Sequence, residues 1–228
     1  MPILALLGLL LIFAVVLGPG LWAKATLSRH ASHRRDIPGT GGELARHLLD
    51  RVGLETVAVE AVPDGDHYDP AARAVRLSPT AHDGHSVTAV AVAAHEVGHA
   101  IQHRDAYGPL EARTRLVKTT VWVQRLGAGV AYASPLMGMF AQSPGVMLAF
   151  VAAGVASMGV AVLVNLVTLP VEFDASFARA LPILEQGGYL DAADIPAARR
   201  ILTACALTYL AASLMSLVQF WRWVRFFR

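Results

Sequence analysis

A chain of 228 residues is long enough for one domain or two small ones. Its 55% hydrophobic and 16% charged residues, with a mean hydropathy of +0.49, lie outside the soluble range and place it with membrane proteins. A net charge of +2, scattered around apolar segments rather than gathered on one face, excludes nucleic acid as a partner, and a lone cysteine, Cys205, excludes an internal disulfide.

Residues 1–23 form the first unit. Ile3 to Trp22 is uncharged and long enough to cross a hydrocarbon layer of about 30 Å. No basic n-region precedes it and no Ala-x-Ala site follows it, so it reads as a retained transmembrane anchor. Lys24, Arg29, Arg34 and Arg35 come next, which puts the following chain in the cytoplasm by the positive-inside rule.

Residues 24–125 read as one cytoplasmic region. Gly39-Thr40-Gly41-Gly42 breaks the chain before a helix from Glu43 to Val52, where Leu44, His47, Leu48 and Arg51 fall at helical spacing. Val57–Val62 and Arg73–Ser78 read as the strands of a small β-hairpin, with turn chemistry from Asp64 to Pro70 between them. The outer edge of that hairpin suits strand addition by an extended peptide, and a plain structural hairpin is the equal alternative.

Ser86 is an N-cap residue before the small, apolar run Val87–Ala94, which predicts a buried helix. That helix delivers His95-Glu96-Val97-Gly98-His99. Histidines four apart share one helical face, about 6 Å apart along the axis, and can grip one metal ion together. Glu96 sits one step round, placed to take a proton from a water that the metal has acidified. His103 continues the series but lies about 12 Å from His95 along the axis, out of reach of the same ion.

Residues 126–169 read as a transmembrane hairpin, Leu126–Phe140 and Val146–Leu169 joined by Ala141-Gln142-Ser143-Pro144-Gly145. Basic residues flank both outer ends, which places those ends in the cytoplasm. Residues 170–200 read as a third-ligand helix and cytoplasmic segment. Residues 201–228 read as a C-terminal membrane helix, Ile201–Phe220, and a tail of Trp and Arg. Four crossings would carry that basic tail outside, so either the last helix is interfacial or re-entrant, or the rule fails there.

A catalytic zinc takes three protein ligands and leaves a place for water. Glu172 and Asp174 stand where the third apolar segment ends, and the membrane hairpin returns them to the neighbourhood of the HExxH helix. The spacing alone leaves both open as the third ligand.

The stretches Asp66–Pro70, Leu77-Ser78-Pro79, Val92–His103, Thr168–Ser176 and Ala206–Tyr209 resemble the YugP-like family of neutral, membrane zinc metallopeptidases, over about residues 30 to 212. The resemblance implies a neutral zinc peptidase of the bacterial cytoplasmic membrane; the apolar segments and their basic flanks imply a multi-pass protein with its active site facing the cytoplasm. The order of HExxH, membrane hairpin and helical Glu is also similar to HtpX-type gluzincins. Those carry Glu-x-x-x-Asp, with the Glu on zinc and the Asp bracing a ligand histidine. Glu172 matches the Glu and so is the implied ligand. The position four later is Ser176, so the brace falls to Asp174, Ser176 or another residue. For stabilising the oxyanion the sequence offers Arg199, Arg200 and Tyr209 late in the chain, and His67, Tyr68 and His85 earlier.

The sequence therefore predicts a mainly α integral membrane protein with a zincin-like HExxH core and a small β-hairpin. The expected function is a Zn²⁺-dependent endopeptidase acting on membrane-associated or misfolded polypeptides, with Glu96 catalytic and the lipid bilayer as a partner. The alternative is an inactive metallopeptidase-like scaffold that binds membrane-protein partners, which an intact Glu96 disfavours.

Overall fold

The computed structural model describes residues 2–63, 65–133 and 144–208. In chain order the elements are α1 (Pro2–Arg29), α2 (Gly41–Arg51), β1 (Ala58–Ala61), β2 (His67–Asp69), β3 (Ala74–Leu77), α3 (Pro79–His82), α4 (Val87–Arg104), α5 (Gly108–Ala133) and α6 (Pro144–Phe173). A π-helical segment, Asp174–Ala180, continues α6 directly into α7 (Leu181–Gly187), and residues 195–208 form α8.

Helix α4 is the centre of the structure. Ser86 caps it through its side chain, which accepts from the Ala89 amide at 3.1 Å. Every residue from Ala89 to Gln102 is buried, and this apolar, Ala-rich stretch packs with Leu48 and Leu49 of α2, Val75 and Leu77 of β3, Leu184 of α7, and Ile201 and Leu202 of α8. Small side chains set how closely those neighbours approach. A Cβ on Gly98 would stand 2.7 Å from the Ala175 carbonyl oxygen, so the π segment lies directly against α4 at that point.

Helix α2 starts two residues earlier than its sequence suggests. Thr40 and Glu43 form a reciprocal capping box. Gly41 is a contact residue rather than a breaker, since a Cβ there would run into the backbone carbonyls of Ala81 and Ala89.

The two expected strands form, but not as a hairpin with each other. The sheet order is β1-β3-β2, with β1 parallel to β3 and β2 antiparallel to it. The hairpin is instead β2–β3. Its turn is closed by Asp69 Oδ1, which accepts from the amides of Ala71 (2.8 Å) and Ala72 (3.1 Å), and by Arg73 in the left-handed region at φ 52°. Residues 62–73 leave room for the chain to return and pair in parallel, and β2 occupies part of that return.

The expectation of an integral membrane fold is also corrected. Among the described residues, no helix is long and apolar enough to cross a membrane. The apolar run expected from Leu126 continues a helix whose earlier part carries Glu111, Arg113, Arg115, Lys118 and Arg125. The run expected from Ile201 begins in the core, where Ile201, Leu202, Ala204 and Ala206 are buried. Its remainder, with the basic tail, lies outside the described residues, as do residues 134–143, which hold the end of the segment expected from Leu126 and the start of the expected connection. What the structure presents is a mainly helical domain with a three-stranded sheet.

Candidate metal centre

Two elements meet at the site. Helix α4 carries His95, Glu96 and His99, and the last turn of α6 carries Glu172. Glu172 Oε2 lies 3.2 Å from His95 Nε2 and 3.3 Å from His99 Nε2. The two imidazoles stand edge to face, 4.7 Å between ring centres. All three side chains are buried, with Glu172 only 1% exposed.

Each imidazole is fixed from behind through its other nitrogen. Ser176 Oγ lies 3.1 Å from His95 Nδ1 and donates to the Leu202 carbonyl at 3.1 Å, so the serine oxygen accepts from the His95 N–H. Gln102 Oε1 accepts from His99 Nδ1 at 2.9 Å. The Gln102 amide donates to the Val171 carbonyl at 2.8 Å and to Asp174 Oδ2 at 2.7 Å, and Arg179 Nε donates to that same carboxylate oxygen at 2.7 Å. These bonds occupy each Nδ1 and leave Nε2 as the atom that faces Glu172, where it donates a proton to the carboxylate or, with that proton lost, offers a lone pair to a metal ion. Residues 172 and 176, four apart, lie near one another on the helix, so one side of it supplies both a ligand candidate and a brace.

Burial drives the Glu172 carboxyl toward the neutral form, but the bonds from His95 and His99 outweigh it and hold the group well below the usual carboxylate range. Burial likewise disfavours the charged His99 ring, and Glu172 more than reverses this, raising it above the ordinary imidazole value. Glu96 has no such compensation. Burial raises its carboxyl above the normal glutamate range, with His95 and His99 opposing. A carboxylate with raised basicity beside a histidine pair is suited to accept and return a proton.

The donor set fits a zinc ion. Three ligand atoms, one from each of His95, His99 and Glu172, lie within 4.8 Å of one another. The 3.2 and 3.3 Å separations match the roughly 3.3 Å edge of a tetrahedron whose ligands stand about 2.0–2.1 Å from its centre. Glu172 Oε1 is buried and is the one such side-chain atom, among the described residues, without a hydrogen-bond partner. A carboxylate desolvated to that degree is stabilised by a cation at its other oxygen.

A cavity of about 210 Å³ opens onto these atoms, bordered by Asp66, His67 and Tyr68 from the sheet side, Arg113 from α5, and Cys205 and Thr208 from α8. The remaining sequence candidates fall in different places. His67 lines the cavity and is exposed. Tyr68 also lines it, but its hydroxyl is bonded to His103 Nδ1 at 2.8 Å, which places His103 behind Tyr68 and off the metal atoms. Asp174 faces Gln102 and Arg179 rather than the histidine nitrogens. Arg199 pairs with Glu185 at 3.0 Å on the surface, Arg200 is exposed, and His85 Nδ1 contacts the Ile37 carbonyl at 3.3 Å. None of these three borders the cavity. Tyr209 lies outside the described residues.

Sequence reasoning missed Gln102 and Arg113. An amide three residues after the second histidine, on the same turn, was a readable signal for Gln102. Arg113 had none, because its place depends on how α5 folds back beside α4.

The family model described as "Putative neutral zinc metallopeptidase" matches residues 5–228. A Bacillus subtilis (strain 168) protein named "Putative membrane protease YugP" is 38% identical over 227 residues, covering 96% of this chain and 97% of its own length. No solved structure matches. The cofactor is Zn²⁺, in agreement with the donor set of His95, His99 and Glu172. With that coverage and identity, the chain belongs to this zinc metallopeptidase family.

Proposed function

We propose that this chain is a zinc metalloendopeptidase of the HExxH, gluzincin type, with His95, His99 and Glu172 as the metal ligands and Glu96 as the proton-transfer residue. The observation that carries the reading is the convergence of His95 Nε2, His99 Nε2 and Glu172 Oε2 beside buried Glu96, at the wall of an open cavity. When bound, Zn²⁺ lowers the pKa of a coordinated water to about 7 and polarises the substrate carbonyl. Glu96 takes one proton from the attacking water as the C–O bond forms. It then returns that proton to the amide nitrogen as the C–N bond breaks, and the second proton of the water passes from the new carboxyl group to the freed amine, leaving a carboxylate and an ammonium group. Ser176 and Gln102 hold the imidazoles in place throughout, through Nδ1.

Polypeptides are the substrates of such chemistry, and β2 offers a means of holding them. It is an edge strand by the sheet order, and its His67 and Tyr68 border the cavity, so an extended segment added to it would run past Glu96. The finer assignment is to membrane-associated or misfolded proteins at the bacterial cytoplasmic membrane, with the cavity facing the cytoplasm. Two observations favour a lipid surface: the name of the Bacillus subtilis relative, and large apolar side chains left exposed at Leu21, Trp22, Trp122, Leu126, Leu163 and Leu166.

The test is cleavage of casein by purified, zinc-loaded protein. Loss of cleavage on chelation, with recovery on zinc addition, is the expected result. Full zinc occupancy without cleavage of any unfolded substrate would instead identify a scaffold.

A further inference from the structure

We infer that Arg113 is the residue that binds the carbonyl oxygen of the scissile peptide bond as negative charge builds on it. The inference rests on the peptidase reading above. When water adds to the carbonyl carbon, the proton goes to Glu96 and the π electrons of the C=O bond move onto oxygen. That oxygen then needs a donor already in place.

The cavity is short of positive charge. Glu96, Glu172 and Asp66 all border it, and Arg113 is the one arginine or lysine among its described lining residues. Arg113 arrives from α5, a third element beside α4 and the end of α6, with its side chain 26% exposed. Its Nη1 lies 3.9 Å from Glu172 Oε1, whereas Glu172 Oε2 faces the two histidines. The separation is that of an ion pair and is too long for a hydrogen bond. The guanidinium is therefore held next to the ligand set without being closed onto Glu172. A guanidinium carries five N–H donors in a fixed fork, so Arg113 can serve a further acceptor besides the groups it already meets.

The other donors are less well placed. The Tyr68 hydroxyl is engaged with His103 Nδ1 at 2.8 Å, and His67 sits exposed on an edge strand. Arg199 and His85 are elsewhere.

The experiment compares Arg113→Ala, Arg113→Gln and Arg113→Lys with the unaltered full chain. It reads kcat and KM on casein, zinc affinity by chelator competition, and calorimetric binding of N-phosphoryl-Leu-Trp, whose tetrahedral anion mimics the charged oxygen. The neutral variants should lose about 10²- to 10³-fold in kcat, as removal of one oxyanion donor does. KM and zinc affinity should stay within about threefold, the pattern of an interaction made only in the transition state. N-phosphoryl-Leu-Trp should bind the neutral variants more weakly, and Arg113→Lys should recover part of the loss. A fall in zinc affinity, with activity restored by excess zinc, would make Arg113 a positioning residue for Glu172 and overturn the assignment. Unchanged kcat in both Arg113→Ala and Arg113→Gln would overturn it as well. Zinc-loaded, unaltered protein that leaves casein intact would instead overturn the peptidase reading on which the assignment rests.

Discussion

Gln102 Oε1 accepts from His99 Nδ1 at 2.9 Å, three residues along the same helix, and its amide reaches across to Val171 and Asp174 at the end of α6. One buried side chain thus orients a metal-ligand candidate and ties together the two elements that build the site. Replacement by leucine keeps the volume and removes both functions. Gln102→Leu should lower zinc affinity by about 10- to 100-fold, the usual cost of losing an outer-shell partner. Asp174→Asn, which keeps its size and an acceptor oxygen, should retain the metal. Chelator competition on both variants checks this, and equal affinities would remove Gln102 from the role.

Gly98 lies between the two histidines, and a Cβ there would meet the Ala175 carbonyl oxygen at 2.7 Å. Helix propensity alone would make Gly98→Ala stabilising by about 1 kcal/mol. The obstacle is backbone, which cannot swing aside, so overpacking at a cost of about 1–3 kcal/mol should win. Ser176, next to Ala175, should shift with it and loosen His95. The expected outcome is a lower melting temperature and weaker zinc binding. A raised melting temperature would mean that the π segment can move freely.

The convergence of His95 and His99 on one face was legible because both sit on one helix, where four-residue spacing fixes their geometry whatever the tertiary fold. The burial of α4 was legible for the same reason, its Ala and Val being apolar on all sides. The parallel pairing of β1 with β3 was not, since two short strands separated by turn residues read as a hairpin and β2 is only three residues long. The apolar runs misled most. Ile201 and Leu202 are as hydrophobic as lipid-facing residues, yet they pack beneath the site, and Leu202 also supplies the carbonyl that takes the Ser176 proton. Arg113 reaches the cavity through tertiary structure alone, which no local pattern encodes.

Arg34 fastens the chain after α1 to the loop before α8, donating to Asp36 at 2.8 Å and to Asp194 at 3.1 and 3.0 Å. The Arg34 bond lowers the Asp36 carboxyl from 3.8 to about 2. A depressed folded-state value contributes stability that is fully present above the unfolded value and lost as pH falls through the folded one. Asp36→Asn should therefore flatten the acid side of the stability profile between about pH 4 and pH 2, leaving its shape at neutral pH unchanged. Urea unfolding across that range checks it, and an unchanged slope would show that the clasp does not act on folding.

Glu96 is buried beside the histidine pair, with its basicity raised by that burial. Glu96→Gln keeps the shape and removes the proton acceptor. Proteolysis of casein should fall by at least about 10²-fold, the lower range for a general base, while zinc content stays at the level of the unaltered protein. Turnover within tenfold of that protein would exclude Glu96 as the base.

On the proposed reading, His95, His99 and Glu172 together hold one zinc ion. X-ray absorption at the zinc edge on the purified full chain, with Glu172→Ala alongside, tests it most directly. Two imidazole nitrogens and carboxylate oxygen are expected on the metal, with zinc affinity sharply reduced in Glu172→Ala. A third imidazole on the zinc, or undiminished zinc affinity without the Glu172 carboxylate, would contradict it.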